Sequence, residues 1–109
     1  MKVYIAGPIT GHPDYKDCFA KAELILKERL AIVMNPARLP EGFEWAEYMK
    51  ITFAMLEACD TIVLLPGWEN SRGAVLEYRM ALCNGKSILE FTPDYQLKSR
   101  ICTPNKNNH

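Results

Sequence analysis

The sequence predicts a three-layer α/β fold in which helices cover both faces of a mainly parallel sheet. Short apolar segments of four to six residues alternate along the chain with longer segments of helical periodicity. Glycine or proline follows each of the first three apolar segments, which is typical of strands that end abruptly in loops. The 109 residues, 49% of them hydrophobic, are enough for one domain with its own core.

The first half of the chain predicts two strands and two helices. Residues 2–6 form the first strand, which Gly7 and Pro8 end. Apolar residues at three- and four-residue spacings predict a helix over about 15–30, capped by Asp14. Residues 31–34 form the second strand. The second helix runs to about residue 58, and we expect it to face the sheet through a stripe of Trp45, Met49, Phe53 and Leu56.

The second half predicts a third strand, a third helix and a fourth strand. Residues 60–65 form a continuous apolar run, as in a strand that is covered on both faces. Ser71 or Asn70 caps a helix that extends through Asn84, with Gly85 just past its end. Residues 86–91 form the fourth strand, and a short edge element follows from residue 92.

This order predicts a Rossmann-like (flavodoxin-like) sandwich with strand order 2-1-3-4 and a possible fifth edge strand. We expect one domain over residues 1–103 and a disordered tail over 104–109. Winding reverses between strands one and three, so ligands should bind at the carboxyl ends of these two strands. The loops at 7–11 and 66–71 meet there.

Composition and charge exclude several classes of function. The 13 basic residues balance the 13 acidic ones, which argues against binding to nucleic acid polymers. No apolar run is long enough to cross a membrane, so we expect a cytoplasmic protein with no membrane partner. Four cysteines without a CxxC pair predict no metal site. With His12 and His109 as the only histidines, catalysis would have to rest on carboxylates.

The third helix carries the residues of greatest interest. Ser71 begins it, and Gly73 lies one turn before Glu77 on the same face, where the missing side chain leaves room for a ligand. Glu77 interrupts a mostly apolar helix that should be covered, and a charge buried there is unfavourable unless it has a partner or a function. Alternatively, Ser71 is only a cap, and Glu77 is a solvated glutamate or the ion-pair partner of Arg79.

Two aromatic residues and a glycine loop are the other candidates. Tyr4 on the first strand either hydrogen-bonds a carboxylate of the third helix or simply packs in the core. Trp68, at a loop tip, could stack on a base, pack under the second helix or mark a subunit contact. The loop at 7–11 either brings backbone amides to a phosphate or sugar or is only a tight turn.

Three segments together resemble the nucleoside 2-deoxyribosyltransferase superfamily: YIAGPITG at 4–11, NPA at 35–37 and CDTIVLLPGWENSRGAVLE at 59–77. The resemblance spans about residues 1–91 and is greatest to a small uncharacterised branch common in phages and bacteria. The spacing of Ser71 and Glu77 is its most specific element.

The resemblance implies a glutamate nucleophile that attacks the anomeric carbon of a nucleoside or nucleotide, releases the base and leaves a glycosyl-enzyme, whose sugar passes to water or to another base. Glu77 matches the nucleophile, and Tyr4 matches the tyrosine that orients it. A homodimer or larger homo-oligomer is implied, without a cofactor or metal. The implied ligand-binding residues are Gly7, Pro8, Ile9, Thr10, Gly11, Thr52, Gly67, Trp68, Ser71 and Gly73.

One position departs from the superfamily pattern. Members of the superfamily usually carry an aspartate on the second helix, eight residues before the aspartate that opens the third strand. In this sequence the second of these is Asp60, and the position eight residues earlier is Thr52. A threonine hydroxyl cannot act as an efficient acid near neutral pH. Asp60, Glu57 and Glu69 are possible substitutes.

Two functions therefore stand: an N-glycosidase or deoxyribosyltransferase acting on a (deoxy)nucleoside or its monophosphate, and a non-catalytic sensor or sequestering protein for a nucleotide-derived signal. Whether the protein is an enzyme stays open.

Overall fold

The computed structural model describes residues 1–100, which form a five-stranded sheet with one long helix on one face and two on the other. Short 3-10 turns lie at Pro36–Arg38 and Trp68–Asn70. The strands and helices of this part of the chain are β1 (Lys2–Ala6), α1 (Tyr15–Glu28), β2 (Ile32–Met34), α2 (Trp45–Glu57), β3 (Thr61–Leu64), α3 (Arg72–Cys83), β4 (Ser87–Phe91) and β5 (Leu97–Ser99).

The sheet has the order β2-β1-β3-β4-β5, which confirms the predicted topology and the fifth edge strand. The first four strands are parallel, and β5 runs antiparallel to β4. The strand order reverses between β1 and β3, so their carboxyl ends open a crevice between the loops that follow them. The predicted domain end at 103 and the tail at 104–109 lie outside the described residues.

The two faces of the sheet have separate cores. Val3 and Ile5 of β1 pack toward α1, whereas Tyr4 and Ala6 pack toward the side of α2 and α3. This division follows from the alternation of side chains along a strand. Tyr4 is therefore on the same side of the sheet as helix α3. In the described part of the chain, no helix is long and apolar enough to cross a membrane.

The helix ends agree with the sequence prediction at α3 but not at α1. The Ser71 side chain accepts a hydrogen bond from the backbone N–H of Ala74 at 3.2 Å, and Gly85 has a φ of +68° just past the helix. Asp14 occupies the N-cap position of α1, but its side chain accepts no capping hydrogen bond. Its carboxylate lies 3.8 Å from the Cys18 sulfur instead, so the predicted cap is wrong.

Helix α2 faces the sheet through a different stripe from the predicted one. Its buried residues are Met49, Thr52 and Leu56, whereas Trp45 is 39% exposed and Phe53 is half-buried. The expected stripe is confirmed for Met49 and Leu56 and wrong for Trp45 and Phe53, and it left out Thr52. This polar side chain is tolerated in the interior because it finds hydrogen-bonding partners there.

A buried carboxylate fixes the segment between β2 and α2. Glu23 of α1 accepts hydrogen bonds from Asn35 and Arg38, each at 2.9 Å, and pairs with Lys27 at 2.8 Å. Burial alone would raise the pKa of Glu23, but these three partners outweigh it and lower the pKa to about 2. The residues just after β2 are thereby held against α1.

We expect Glu23→Gln to lower the free energy of unfolding at pH 7 by about 2 kcal/mol, because the amide replaces a charge that two cations stabilise. A lowered carboxyl pKa stabilises the fold above its unfolded value of 4.5, and that stability is lost as the pH falls toward 2. The difference between wild type and variant should therefore shrink over this range in denaturant titrations. Glu28→Gln, an exposed change on the same helix, is the matched control. A pH-independent difference would contradict the prediction.

Candidate active site

A cavity of about 560 Å³ opens at the carboxyl ends of β1 and β3, where the topology predicts a ligand site. Its walls come from the loop after β1, the start of α1, the segment between β2 and α2, the first half of α2 and the start of α3. Nine of the twelve residues that the sequence singled out line it: Tyr4, Gly7, Pro8, Ile9, Thr10, Thr52, Ser71, Gly73 and Glu77.

Three polar side chains meet at the deep end of this cavity. The Tyr4 hydroxyl donates a hydrogen bond to Oε2 of Glu77 at 2.9 Å, and both residues are buried. The Thr52 side chain also hydrogen-bonds to Glu77. The Thr52 hydroxyl lies 3.4 Å from the carbonyl oxygen of Met49 as well. The predicted contact between Tyr4 and Glu77 is therefore present, together with the core packing that was its alternative.

The environment of Glu77 raises the pKa of its carboxyl toward neutral pH. Glu77 is only 5% exposed, and burial raises the pKa of its carboxyl to about 7, while hydrogen bonds from Thr52 and Tyr4 lower the pKa and limit the rise. Burial and the neighbouring Glu77 raise the pKa of Tyr4 well above its usual value of 10, so its phenol keeps the proton that it donates. Carboxylates with such shifted pKa values cluster at functional sites.

The alternative assignment of Glu77 to an ion pair with Arg79 is wrong. Among the residues that the structure describes, Glu77 has no salt bridge, and Arg79 is exposed on α3. The carboxylate points into the cavity and not to solvent on the outer face of the helix. It is therefore available to a ligand.

The loop after β1 packs closely against the residue after β3 and then makes a tight turn. A Cβ on Gly7 would lie 2.8 Å from the Cβ of Leu65, so only glycine lets the loop pack against the residue after β3. Pro8, Ile9 and Thr10 line the cavity. Gly11 does not; its φ of +79° serves the turn that brings the backbone N–H of His12 to the carbonyl of Ile9.

Helix α3 enters the cavity through its first turn. Ser71 and Gly73 both line the wall, as the sequence predicts. The space beside Gly73 is partly taken by helix α2, because a Cβ there would lie 3.3 Å from the sulfur of Met49. The missing side chain therefore lets α2 and α3 pack closely as well as leaving room above Glu77.

Two predicted ligand contacts after β3 lie elsewhere in the structure. Trp68 is 6% exposed and packs in the core, with its ring centroid 4.7 Å from that of Tyr78. Gly67 has a φ of +86°, does not line the cavity and starts the turn that directs Trp68 inward. The expectation of an exposed tryptophan at a loop tip is wrong because this short turn buries its largest side chain.

Sequence reasoning missed much of the cavity mouth. Trp45 lies there, and the guanidinium of Arg72 stacks 4.2 Å from its ring centroid. His12, Tyr48 and Glu41 line the same region, and Glu41 pairs with Lys16 at 2.7 Å. The helical spacing of Trp45 and Met49 with Thr52, which the sequence already predicts as a ligand contact, is the signal that could have placed the first half of α2 on the cavity wall.

None of the proposed substitutes for the missing aspartate reaches the cavity. Asp60 lies at the amino end of β3, opposite the cavity, where it accepts hydrogen bonds from the backbone N–H of Lys2 and from Thr61. Glu57 and Glu69 are exposed and do not line the cavity. Within residues 1–100, no three side chains of the metal-ligating types cluster to hold an ion.

Comparison with known proteins places the chain in a family. Residues 1–90 match the family model described as "Domain of unknown function (DUF4406)". The chain belongs to the DUF4406 family. No curated protein matches the sequence.

Two solved structures share the fold of this DUF4406 protein. The 2-desoxiribosyltransferase from Leishmania mexicana matches with a TM-score of 0.66 and 24% identity over 83% of this chain; the match spans 63% of the Leishmania protein. A 2-deoxyribosyltransferase from Bacillus psychrosaccharolyticus matches with a TM-score of 0.68 and 18% identity, over 95% of this chain and 78% of that one. The resemblance stated from the sequence is thus confirmed for the fold.

We expect Glu77→Gln to stabilise the protein at pH 8 by about 2 to 3 kcal/mol, because burial disfavours the charged form. With a folded pKa near 7 and an ordinary value of 4.5, the stability supplied by protonated Glu77 is complete below pH 4.5 and is lost as the pH rises to about 7. The advantage of the variant should therefore nearly vanish at pH 4.5 in denaturant titrations. Glu69→Gln, on the exposed turn before α3, should show no such gain.

Proposed function

We propose that this DUF4406 protein cleaves or exchanges the N-glycosidic bond of a (deoxy)nucleoside or its monophosphate, with Glu77 as the nucleophile. The observation that carries the proposal is the buried Glu77 carboxylate, hydrogen-bonded by Tyr4 at 2.9 Å at the deep end of a cavity large enough for a small molecule. The two solved structures that share the fold are both 2-deoxyribosyltransferases. This similarity supports the same class of reaction here.

The proposed reaction begins when a Glu77 oxygen attacks the anomeric carbon of the sugar. The carbon–nitrogen bond breaks, its electron pair leaves with the base, and a glycosyl ester forms on Glu77. Water or a second base then attacks the same carbon and frees the carboxylate. A carboxylate has about four acceptor positions, so Glu77 can accept from Tyr4 and Thr52 and still keep a lone pair for the carbon.

Tyr4 acts as a positioning residue in this proposal. It sits on a central strand, is almost fully buried and holds one carboxylate oxygen in place. The positive charge that develops on the sugar favours the ionised form of Glu77, so substrate assists the deprotonation that burial opposes. The protein then needs no separate base to activate the nucleophile.

We expect Glu77→Gln to lower kcat for base release at least about 1,000-fold, because an amide oxygen is a much poorer nucleophile than a carboxylate. The wild-type kcat/KM should rise with pH through about 7, following ionisation of Glu77. Chromatography of free base from a panel of nucleosides and nucleotides measures both. Glu69→Gln should leave release unchanged. Equal release by wild type and Glu77→Gln would remove Glu77 from its role.

A second candidate is a binder that holds a nucleotide-derived ligand without turnover. Thr52 favours it, since no acid stands at that position to protonate a leaving base. Glu41 also lines the cavity, but Lys16 lowers the pKa of its carboxyl and so favours the ionised form, which has no proton to donate. Native mass spectrometry with a nucleotide panel decides: a bound, intact ligand after long incubation with wild type favours the binder, and free base favours the enzyme.

We further propose a cytoplasmic homodimer or larger homo-oligomer that covers the cavity mouth. Phe43 is 47% exposed and packs on Tyr48, which lines the cavity, and Trp45 beside it is also exposed. Large apolar side chains that remain exposed together are suited to a contact with another subunit. Light scattering of the purified chain measures its mass in solution, and a monomer at working concentration would contradict this part.

A further inference from the structure

We propose that His12 is a catalytic residue that donates a proton to the leaving base. The inference rests on the proposed function and supplies the acid that Thr52 cannot provide. His12 lines the same cavity as Glu77, and it is the only histidine among residues 1–100. Histidine is the side chain best suited to proton transfer near neutral pH.

The cavity reaches across the end of β1 from one face of the sheet to the other. Tyr4 and Ile5, which pack on opposite faces, both line it. Glu77 lies on the α3 side, and Phe19 of α1 lines the opposite side. With the anomeric carbon at Glu77, a planar base on the same sugar can extend over the end of the strand onto the apolar wall beside α1.

His12 is held on this α1 side of the cavity. Its backbone N–H donates to the carbonyl of Ile9 at 3.1 Å, and its own carbonyl accepts from the backbone N–H of Tyr15 at 3.1 Å. Ile9 and Tyr15 also line the cavity, and both pack against the core on the α1 face. The backbone of His12 is therefore fixed between two residues of the wall on which we place the base.

The side chain of His12 is available to a ligand. The residue is exposed, and within residues 1–100 its imidazole has no hydrogen-bond or ion-pair partner. A protonated imidazole can donate from either ring nitrogen. It can therefore donate to a nitrogen or an oxygen of the base without first breaking an internal contact.

The carboxyl groups of the cavity wall cannot take this role. Glu77 is the proposed nucleophile. Glu41 pairs with Lys16 at 2.7 Å, and this contact lowers the pKa of its carboxyl and favours the ionised form. Among residues 1–100, no other aspartate or glutamate lines the cavity. The proton for the base must come from a different type of side chain.

The phenols of the wall are poorer donors than an imidazole. Tyr4 already donates to Glu77, and the Tyr48 hydroxyl donates to a backbone carbonyl at 2.6 Å. Tyr15 also lines the cavity, but a phenol is a far weaker acid than a protonated imidazole. An arginine does not release its proton in this pH range. His12 is therefore the best proton donor on the described wall.

In the proposed step, a Glu77 oxygen attacks the anomeric carbon while the bond between this carbon and the base breaks. The electron pair of that bond leaves with the base, and the base takes up the proton of the His12 imidazolium. The base departs neutral, and His12 is left neutral. When water or a second base attacks the glycosyl ester, its proton passes to His12, which returns to its starting form.

The test asks whether His12 matters more for a poor leaving base than for a good one. For purines, 2′-deoxyguanosine is paired with 7-methyl-2′-deoxyguanosine, whose base already carries a positive charge and leaves without a proton. For pyrimidines, 2′-deoxyuridine is paired with 5-fluoro-2′-deoxyuridine, whose base is more acidic and leaves more easily. Each pair is offered as nucleosides and as 5′-monophosphates, and kcat/KM for base release is measured for every compound that wild type cleaves.

We expect His12→Gln to lower kcat/KM for the ordinary member of a pair by about 100-fold, a typical contribution of general acid catalysis. The loss for the activated member should be smaller, and only a few-fold for the 7-methyl purine. Added imidazole should restore part of the rate in His12→Ala, because the position is exposed. Asp17→Asn, an exposed change near the start of α1 and away from the cavity wall, should leave both rates unchanged. Thermal unfolding of each variant checks that it folds.

An equal loss for both members of a pair in His12→Gln, or no loss, would overturn the inference while leaving the proposed reaction intact. A loss that depends on the leaving base in Tyr15→Phe but not in His12→Gln would assign the proton to Tyr15 and also overturn it. If wild type releases no base from any compound, the proposed reaction fails, and the role of His12 fails with it.

Discussion

The hydrogen bond from Tyr4 to Glu77 is the contact on which the rest of the site depends. It joins β1 to α3 through two residues that are 73 positions apart in the chain. The hydrogen bond from Thr52 connects helix α2 to the same carboxylate. A buried charge without these partners would be strongly unfavourable. Strand β1 and helices α2 and α3 must therefore pack in one arrangement for Glu77 to be buried, and that arrangement also forms the cavity.

The walls around this carboxylate are held by contacts that involve no ligand. Gly7 brings the loop after β1 against Leu65, and the Glu23 network holds the segment after β2 against α1. The cavity is in this sense formed before a ligand arrives. Preorganised hydrogen-bonding groups cost no rearrangement when charge develops during a reaction, which makes their contribution to catalysis large. The same packing explains why a site that is unfavourable for stability can be maintained in a small domain.

The sequence predicted what depends on periodicity and spacing. Alternating apolar segments gave the strand order, and the polar exception at Glu77 within an apolar helix indicated the site, because a charge among buried residues needs a partner. The mouth could not be predicted in the same way. Whether Trp68 points outward or inward depends on a left-handed Gly67 in a short turn, and the stacking of Arg72 on Trp45 depends on how closely two helices approach. Neither tertiary detail leaves a local pattern.

In the proposed reaction, Thr52 affects both Glu77, the proposed nucleophile, and the departure of the base. An aspartate at this position, as in the superfamily pattern, could protonate a departing base, but its own charge beside Glu77 would disfavour a second negative charge. A threonine hydroxyl instead hydrogen-bonds to Glu77 and lowers the pKa of its carboxyl, keeping it near 7 despite burial. In the proposed reaction, threonine therefore provides no acid for the leaving base but favours ionisation of Glu77. Unless another side chain supplies the proton, that reaction would suit best the bases that leave without strong acid assistance.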